Sequence, residues 1–352
     1  MGKLNSKTLH KTLIFSLGFF LCVYLISYIS PLFFPPLFFN ELLVIGSVIV
    51  LPALSVASYF INKKISLAYI ATTLLFLPFY FSTFSISNKQ ETSSDLRVLT
   101  FNTSYFRVFS TPQDQYRLSD IVTSSSQMVK WVSEYKGDIM CFQEYFYDKN
   151  APIFTTTDQF TKQGFTHHYI SSNEPSAGFF SRSVAIFSRH PIVNQGDIFV
   201  DKNNYNRGVF ADITIGNDTI RFINIHLHSN EFDKHAPKLG LMKQYIVNSI
   251  TRGNQAQAVL ELIEKTKYPI ILCGDFNQTV YSYTYQKFNN KLNNAFESKG
   301  NGIGATLNSE KLSFLRIDHQ FSSDEFNIDS YEVKKEMKLS HHFPLECTYS
   351  FK

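Results

Sequence analysis

Charge is missing from most of the first ninety residues. After Lys11 no charged residue occurs until Glu41, none lies from Leu42 to Asn62, and none from Ile65 to Asn88. Cysteine is scarce as well: four in 352 residues exclude a disulfide scaffold. The composition also excludes a disordered chain and a collagen-like repeat. With 44% hydrophobic and 18% charged residues, the averages describe an ordinary soluble protein. A mean hydropathy of -0.09 points the same way. Both averages mislead, because the charge is distributed so unevenly.

Three uncharged apolar stretches fill the gaps, roughly Leu13–Ser30, Leu42–Ile61 and Ile65–Ile86. Each approaches or exceeds the ~20 residues a helix needs to cross a hydrocarbon core. Buried soluble helices of this length carry a polar stripe, and these do not. A signal peptide explains only the first stretch, and no A-x-A site follows Ser30. The sequence therefore predicts three transmembrane helices in residues 1–87, a polar linker over 88–95, and a globular domain over 96–352. Lys3, Lys7 and Lys11 precede the first span, and Lys63 and Lys64 lie between the second and third. The turn from Pro31 to Glu41, which reads PLFFPPLFF at its start, has neither Lys nor Arg. The bias of Lys and Arg toward the cytoplasmic side puts the amino terminus inside and the globular domain outside.

Residues 1–94 hold six Lys+Arg and two Asp+Glu, which leaves 27 of each sign in residues 95–352. The net charge of +4 thus belongs to membrane topology, and the globular part has no general attraction for polyanions. Cys141, Cys273 and Cys347 fall in strand-like runs and Cys22 in the first span. Three cysteines in an exported domain cannot all pair, and they fit buried small hydrophobes.

Apolar runs of strand length punctuate the rest: 96–102, 138–143, 184–188, 208–215, 219–227, 269–275, 316–321 and 344–351. Several hold four consecutive apolar residues, as strands buried on both faces do. Residues 119–135 and 239–267 look helical, the second broken near Gly253. The pattern is that of an α/β domain with helix-covered sheets.

Polar residues gather at the ends of these runs, where α/β folds collect their ligand sites. LTFN ends in Asn102, and CFQE in Glu144. INIHLHSN carries His226 and His228, CGDFNQ carries Asp275 and Asn277, RIDHQF carries Asp318, and LSHHFPL carries His341 and His342. Carboxylates with amide oxygens suit a hard cation, Mg²⁺ or Mn²⁺, better than zinc. A phosphate ester completes this chemistry: the cation offsets phosphoryl charge, an Asp activates water, and a His donates a proton.

In this ordered set the sequence resembles the endonuclease/exonuclease/phosphatase superfamily over residues 95–352, on GDFN, QE and the R-I-D…S-x-H ending. The resemblance implies a four-layered α/β sandwich of two mixed sheets flanked by helices. It implies a metal held by Asn102 and Glu144, with Asp275 orienting the attacking water and Asn277 stabilising phosphoryl oxygens. Asp318 would support the site, and His226 and His342 would contact phosphate, one as general acid. The family ending S-D-H is here Ser340-His341-His342, so His341 stands as a metal ligand in place of Asp. That departure admits a second reading, a non-enzymatic phosphate-binding module on the same fold.

His228 reads as a neighbour of the site, His167 and His168 as loop, and His319 as facing away from Asp318. Asn206, Arg182 and Arg207 read as ordinary structural or salt-bridging residues. Asn102 and Asn277 both open N-x-[ST] sequons, and Asn217 opens a third. A glycan on either of the first two would block the site, which fits a bacterial envelope protein. The substrate, lipid-like phosphodiester or nucleic acid, is left open.

Overall fold

The computed structural model describes residues 6–29, 31, 40–87, 96–109, 118–172, 180–201, 206–229 and 237–352. The expected linker and the side chain of Arg182 lie outside the described residues.

Four helices come first: α1 (Ser6–Ile26), α2 (Asn40–Tyr59), α3 (Lys63–Leu75) and α4 (Leu77–Thr83). Asn62 caps α3, its Oδ1 accepting from the amides of Lys64 and Ile65. Of the three expected spans, one is long and apolar enough to cross a membrane by itself, Lys7–Ile26. The third stretch is not one straight helix, because α3 and α4 meet at a 55° bend. Pro78, in the first turn of α4, is the cause on the chain. In α2 the apolar part narrows to Leu43–Tyr59, with Pro52 inside.

The rest is a sandwich. Its strands are β1 (Leu96–Asn102), β2 (Ile139–Asp148), β3 (His167–Ser172), β4 (Phe180–Ser188), β5 (Ile192–Val200), β6 (Arg207–Ile215), β7 (Asp218–His226), β8 (Ile270–Asp275), β9 (Asn293–Asn294), β10 (Asp318–Ser322), β11 (Phe326–Val333) and β12 (Leu345–Phe351). One sheet runs β11-β12-β1-β2-β4-β3 and the other β5-β6-β7-β8-β10-β9. Each sheet has one parallel pair, β1 with β2 and β7 with β8, among antiparallel neighbours. Helix α5 (Leu118–Ser133) covers the first sheet through Met128, Val129 and Val132. Helix α7 (Lys238–Lys265) covers the second through Ala256, Val259, Leu260 and Ile263. Short helices α6 (Thr156–Lys162), α8 (Tyr283–Asn289) and α9 (Ala295–Lys299) fill the connections.

Strand alternation sorts side chains between the two cores. In β1, Leu96 and Val98 face the other sheet, and Leu99 and Phe101 face α5. In β8, Ile271 and Cys273 face inward, and Ile270 and Leu272 face α7. Cys141, Cys273 and Cys347 are buried and free in this inner layer, while Cys22 is exposed.

Two expectations need correction. His167 and His168 are not in a loop but begin β3. Helix α7 is continuous through Gly253. A single interior glycine costs ~1 kcal/mol, less than the buried contacts of the following two turns return.

Candidate active site

The same alternation aims the site. Continuing inward from Val98 reaches Asn102, from Phe222 reaches His226, and from Cys273 reaches Asp275. Register then aligns Asp275 with His226 on one side and Asp318 on the other. Glu144 breaks the rule, since simple alternation in β2 would turn it toward α5. The β2–β4 register slips between Phe142 and Tyr145, and Glu144 adopts φ +50°. This bulge turns the carboxylate toward the other site groups.

Asn102 is buried and lies between two carboxylates. Its Nδ2 donates to Glu144 Oε1 at 3.1 Å and to Asp275 Oδ2 at 2.9 Å, while its Oδ1 accepts from the Ser104 amide. It thus presents N–H groups to the carboxylates and its oxygen to the Ser104 amide. Asn277, at φ +50°, donates its backbone amide to Asp275 Oδ1 at 2.8 Å and its Nδ2 to Leu227 O at 2.9 Å. Behind Asn102, residues Ser104 to Arg107 are all left-handed, with φ from 48° to 65°. Such backbone costs roughly 1–2 kcal/mol per residue. Bonds from Ser125 Oγ to Phe106 O and from Arg107 Nη1 to Leu339 O hold it.

His342 Nδ1 lies 2.8 Å from Asp318 Oδ2, and its Nε2 lies 3.6 Å from Asp275 Oδ2. Burial alone would depress this imidazole, but Asp318 and then Asp275 raise it to about 10. His226 Nε2 is 3.6 Å from Asp275 Oδ2 and 3.9 Å from Glu144 Oε1. There burial prevails over Asp275 and pushes the ring down to about 4. Burial also raises Glu144 and Asp275, opposed by the Asn102 hydrogen bond and by His342 in each case.

Asp275, Asp318 and His342 bring one ligand atom each to within 4.8 Å of one another. Glu144 joins them through Asn102. Three carboxylates share the cavity with one cationic imidazole, and their oxygens are the donor type that Mg²⁺ or Mn²⁺ prefers. A divalent cation therefore fits the residues present. His341 stands apart: it is exposed, and its backbone contacts Ser104 Oγ and Asn308 N. His228 lies beyond β7, 3.4 Å from Asp201 and 3.3 Å from Asn248. His319 is buried against Phe276 and Tyr285.

Some residues had no separate place in the sequence reading. Gln143 Nε2 donates to Asn224 Oδ1 at 2.6 Å and to Thr100 Oγ1 at 3.0 Å, clamping the sheets one layer below the site. Each of Thr100 and Asn224 sits two positions before a site residue on the same face, a signal that period-2 reading could have used. Thr306 Oγ1 accepts the amides of Ile317 and Asp318. Arg207 is buried opposite His226 and bonded to Ser171 Oγ at 2.6 Å, with no salt bridge among the described residues. Its Nε and Nη2 meet no partner among the described residues.

Two mixed sheets flanked by helices, with buried acids, amides and histidines at the strand ends, define an α/β sandwich of the phosphoesterase type. The family model for the endonuclease/exonuclease/phosphatase family matches residues 99–336, and the chain belongs to that family. Its members include phosphoric ester hydrolases and typically use divalent metals. The fold is similar to an endonuclease/exonuclease/phosphatase from Beutenbergia cavernae, with a TM-score of 0.55 and 16% identity over 73% of this chain and 71% of that one. It is also similar to the human Nocturnin catalytic domain with bound sulfate (TM-score 0.51, 16% identity, 73% and 94% covered). A mannosyl-6-phosphatase from Bacteroides thetaiotaomicron gives a TM-score of 0.51 at 20% identity, with 73% and 100% covered. No curated protein matches the sequence.

Proposed function

We propose that this chain is a membrane-anchored, divalent-metal-dependent hydrolase of phosphate esters that works outside the cytoplasmic membrane of a bacterium. The observation that carries the chemistry is the pair of buried histidines that each place Nε2 3.6 Å from Asp275 Oδ2, of which only His342 has Asp318 on its Nδ1 at 2.8 Å. In the metal-free chain burial lowers the first ring and Asp318 raises the second. Environments that separate two titrating groups in this way assign acid and base roles. Glu144, Asp275 and Asp318 are the oxygens that would hold the cation. When bound, Mg²⁺ or Mn²⁺ supplies charge neutralisation on the phosphoryl oxygens. Asp275, fixed by Asn102 and the Asn277 amide, orients the attacking water and accepts its proton. Charged His342, held by Asp318, donates to a phosphoryl or leaving-group oxygen. Neutral His226, Asn277 and the spare nitrogens of Arg207 add hydrogen bonds to phosphate.

Exposure supports the anchor. Only 17% of the apolar window of α1 is buried, and Ile14, Phe15, Phe19, Ile49, Val56, Leu67 and Phe81 face outward. Hydroxyls of Ser47, Ser55, Thr72 and Thr73 bond to carbonyls one turn back, so these polar groups are satisfied within their own helices. Polarity supports the orientation. His10 meets Asn62 at the end of the helices that carries Lys7, Lys11, Lys63 and Lys64. Glu41, Ser82 and Thr83, at the other end, touch the sandwich.

Between the open substrate classes, an amphiphilic phosphodiester fits better than nucleic acid. The sandwich is neutral, and the start of α7 exposes Leu239 and Met242 beside Lys238 and Lys243. The test uses the full chain in lipid nanodiscs with bis(p-nitrophenyl) phosphate, with and without Mg²⁺. Metal-dependent turnover well above a Glu144→Ala control is expected, followed by preference for a phospholipid over single-stranded DNA. Turnover equal to that control overturns the enzyme reading. Ligand binding without turnover would instead support the non-enzymatic module.

A further inference from the structure

Two loops form one wall of the site: residues 227–229 after β7, which carries His226, and residues 276–282 after β8, which include Asn277. Both meet one carboxylate from the helical segment. Glu41, in the first turn of α2, accepts hydrogen bonds from Thr279 Oγ1 and from Tyr245 OH, the latter at 3.1 Å. Arg252, fully buried in α7, faces it: burial pushes the guanidinium down to about 10, and Glu41 opposes that shift. Arg252 in turn donates from Nη1 to His228 O at 3.0 Å and from Nη2 to Ser249 Oγ. Glu41 therefore holds the β8 loop directly, and its charge acts on Arg252, which holds the β7 loop. The loops also meet each other where Asn277 Nδ2 bonds Leu227 O. Thr279 is two residues from Asn277, at most about 7 Å along the chain.

We propose that Glu41 is a positioning residue of the hydrolytic site, so that the membrane segment is part of the catalytic machinery and not only a tether. The inference rests on the proposed phosphoesterase reading. A separate contact docks the helices: Ser82 Oγ donates to Glu297 at 2.5 Å and Ser85 bridges Gly302, while Thr83 meets Tyr281 at the far end of the β8 loop at 2.7 Å. Removing the Glu41 carboxylate thus loosens the β8 loop around Thr279, next to Asn277, while Ser82 and Ser85 keep the segment docked.

The experiment compares full-length wild type, Glu41→Ala, Glu41→Gln and Thr279→Val in nanodiscs, by Mg²⁺-dependent kinetics and by amide hydrogen exchange without metal. Misplacement of catalytic groups by about 1 Å costs on the order of 10²-fold. Glu41→Ala should accordingly lower kcat by ~10–100-fold with KM changed by less than about threefold. Glu41→Gln keeps an acceptor for Thr279 and should recover part of the loss. Thr279→Val leaves the Glu41 carboxylate and its Tyr245 bond in place, so it reports the loop contact if Glu41→Ala folds poorly. Exchange should quicken over 227–229 and 276–280 but not over 293–304, beside the separate contact. Wild-type kcat in both Glu41→Ala and Thr279→Val overturns the proposal, as does faster exchange spread evenly over the sandwich. If the wild type itself hydrolyses nothing, the phosphoesterase reading fails, and localised or unaltered exchange still decides the positioning role.

Discussion

His226 and His342 are both buried, and each places Nε2 3.6 Å from the same oxygen of Asp275. Yet one ring is pushed down to about 4 and the other up to about 10. Burial disfavours the cation at both, so it cannot make the difference. What separates them is the second carboxylate. Asp318 bonds His342 Nδ1 at 2.8 Å, whereas the Nδ1 of His226 has no partner among the described residues. One hydrogen-bonded acid reverses the sign of the shift, which is the ordinary outcome when a close opposite charge competes with desolvation. The cavity thereby holds a proton donor and a neutral imidazole around one shared acid.

The sharpest way to break this comparison is Asp318→Asn. Without the charge, burial prevails at His342 as it does at His226, and the ring loses its proton at neutral pH. The same exchange beside a catalytic histidine costs about 10⁴-fold in serine proteases. A loss on the order of 10³–10⁴ in kcat is expected here, checked by steady-state kinetics. An NMR titration of His342 should show its pKa falling toward that of His226. Retention of wild-type kcat with a neutral His342 would remove this ring from the acid role.

The inward alternation that brings Asn102, His226 and Asp275 together was legible in the chain, since each closes an apolar strand, and Asp318 was legible as the residue that opens one. Eight central strands were legible for the same reason. Strands β3, β5, β9 and β11 were not, and all four lie at the sheet edges. An edge strand pairs on one side and needs no continuous apolar run; β5, for example, is mostly exposed or half-buried. The aim of Glu144 depends on a bulge, and a bulge leaves no composition signal. Glu41 was legible only as a charge ending an uncharged stretch. Its partners Thr279, Tyr245 and Arg252 are more than two hundred residues away. In the helical segment, composition marked the apolar stretches but not the bend at Phe76.

A smaller effect separates the two histidines by stability in the metal-free chain. An unfolded imidazole titrates near 6.5. His226, depressed when folded, contributes in full above that pH and loses its contribution as pH falls from 6.5 toward 4. The depression is worth on the order of 3 kcal/mol. His342, raised when folded, contributes in full below 6.5 and loses its contribution as pH rises toward 10. Urea unfolding in detergent should show wild type losing stability relative to His226→Gln on the acid side only. Relative to Asp318→Asn, whose His342 is depressed instead of raised, it should lose stability steadily as pH rises through both the acid and the alkaline range. Matching pH profiles for the two differences would contradict the opposite shifts.

The smallest effect is expected at His341, although it occupies the position where the family ending carries Asp. The imidazole is exposed at the rim, and its field acts on Glu144 as the weakest of the named influences. His341→Asp exchanges that weak positive influence for a negative one. It should raise the Glu144 carboxyl slightly in the metal-free chain and favour a cation beside it. Exposed charge pairs are worth little because water screens them. The Mg²⁺ concentration for half-maximal activity should therefore fall by no more than about fivefold, with kcat within about threefold of wild type. The check is a Mg²⁺ titration of both proteins at fixed substrate. A hundredfold gain in kcat would show that an acid at this position reaches the reacting groups, and that the two-histidine arrangement around Asp275 is incomplete without it. A small effect would leave Asp318, not the residue next to His342 in the chain, as the acid that sets the difference between the two rings.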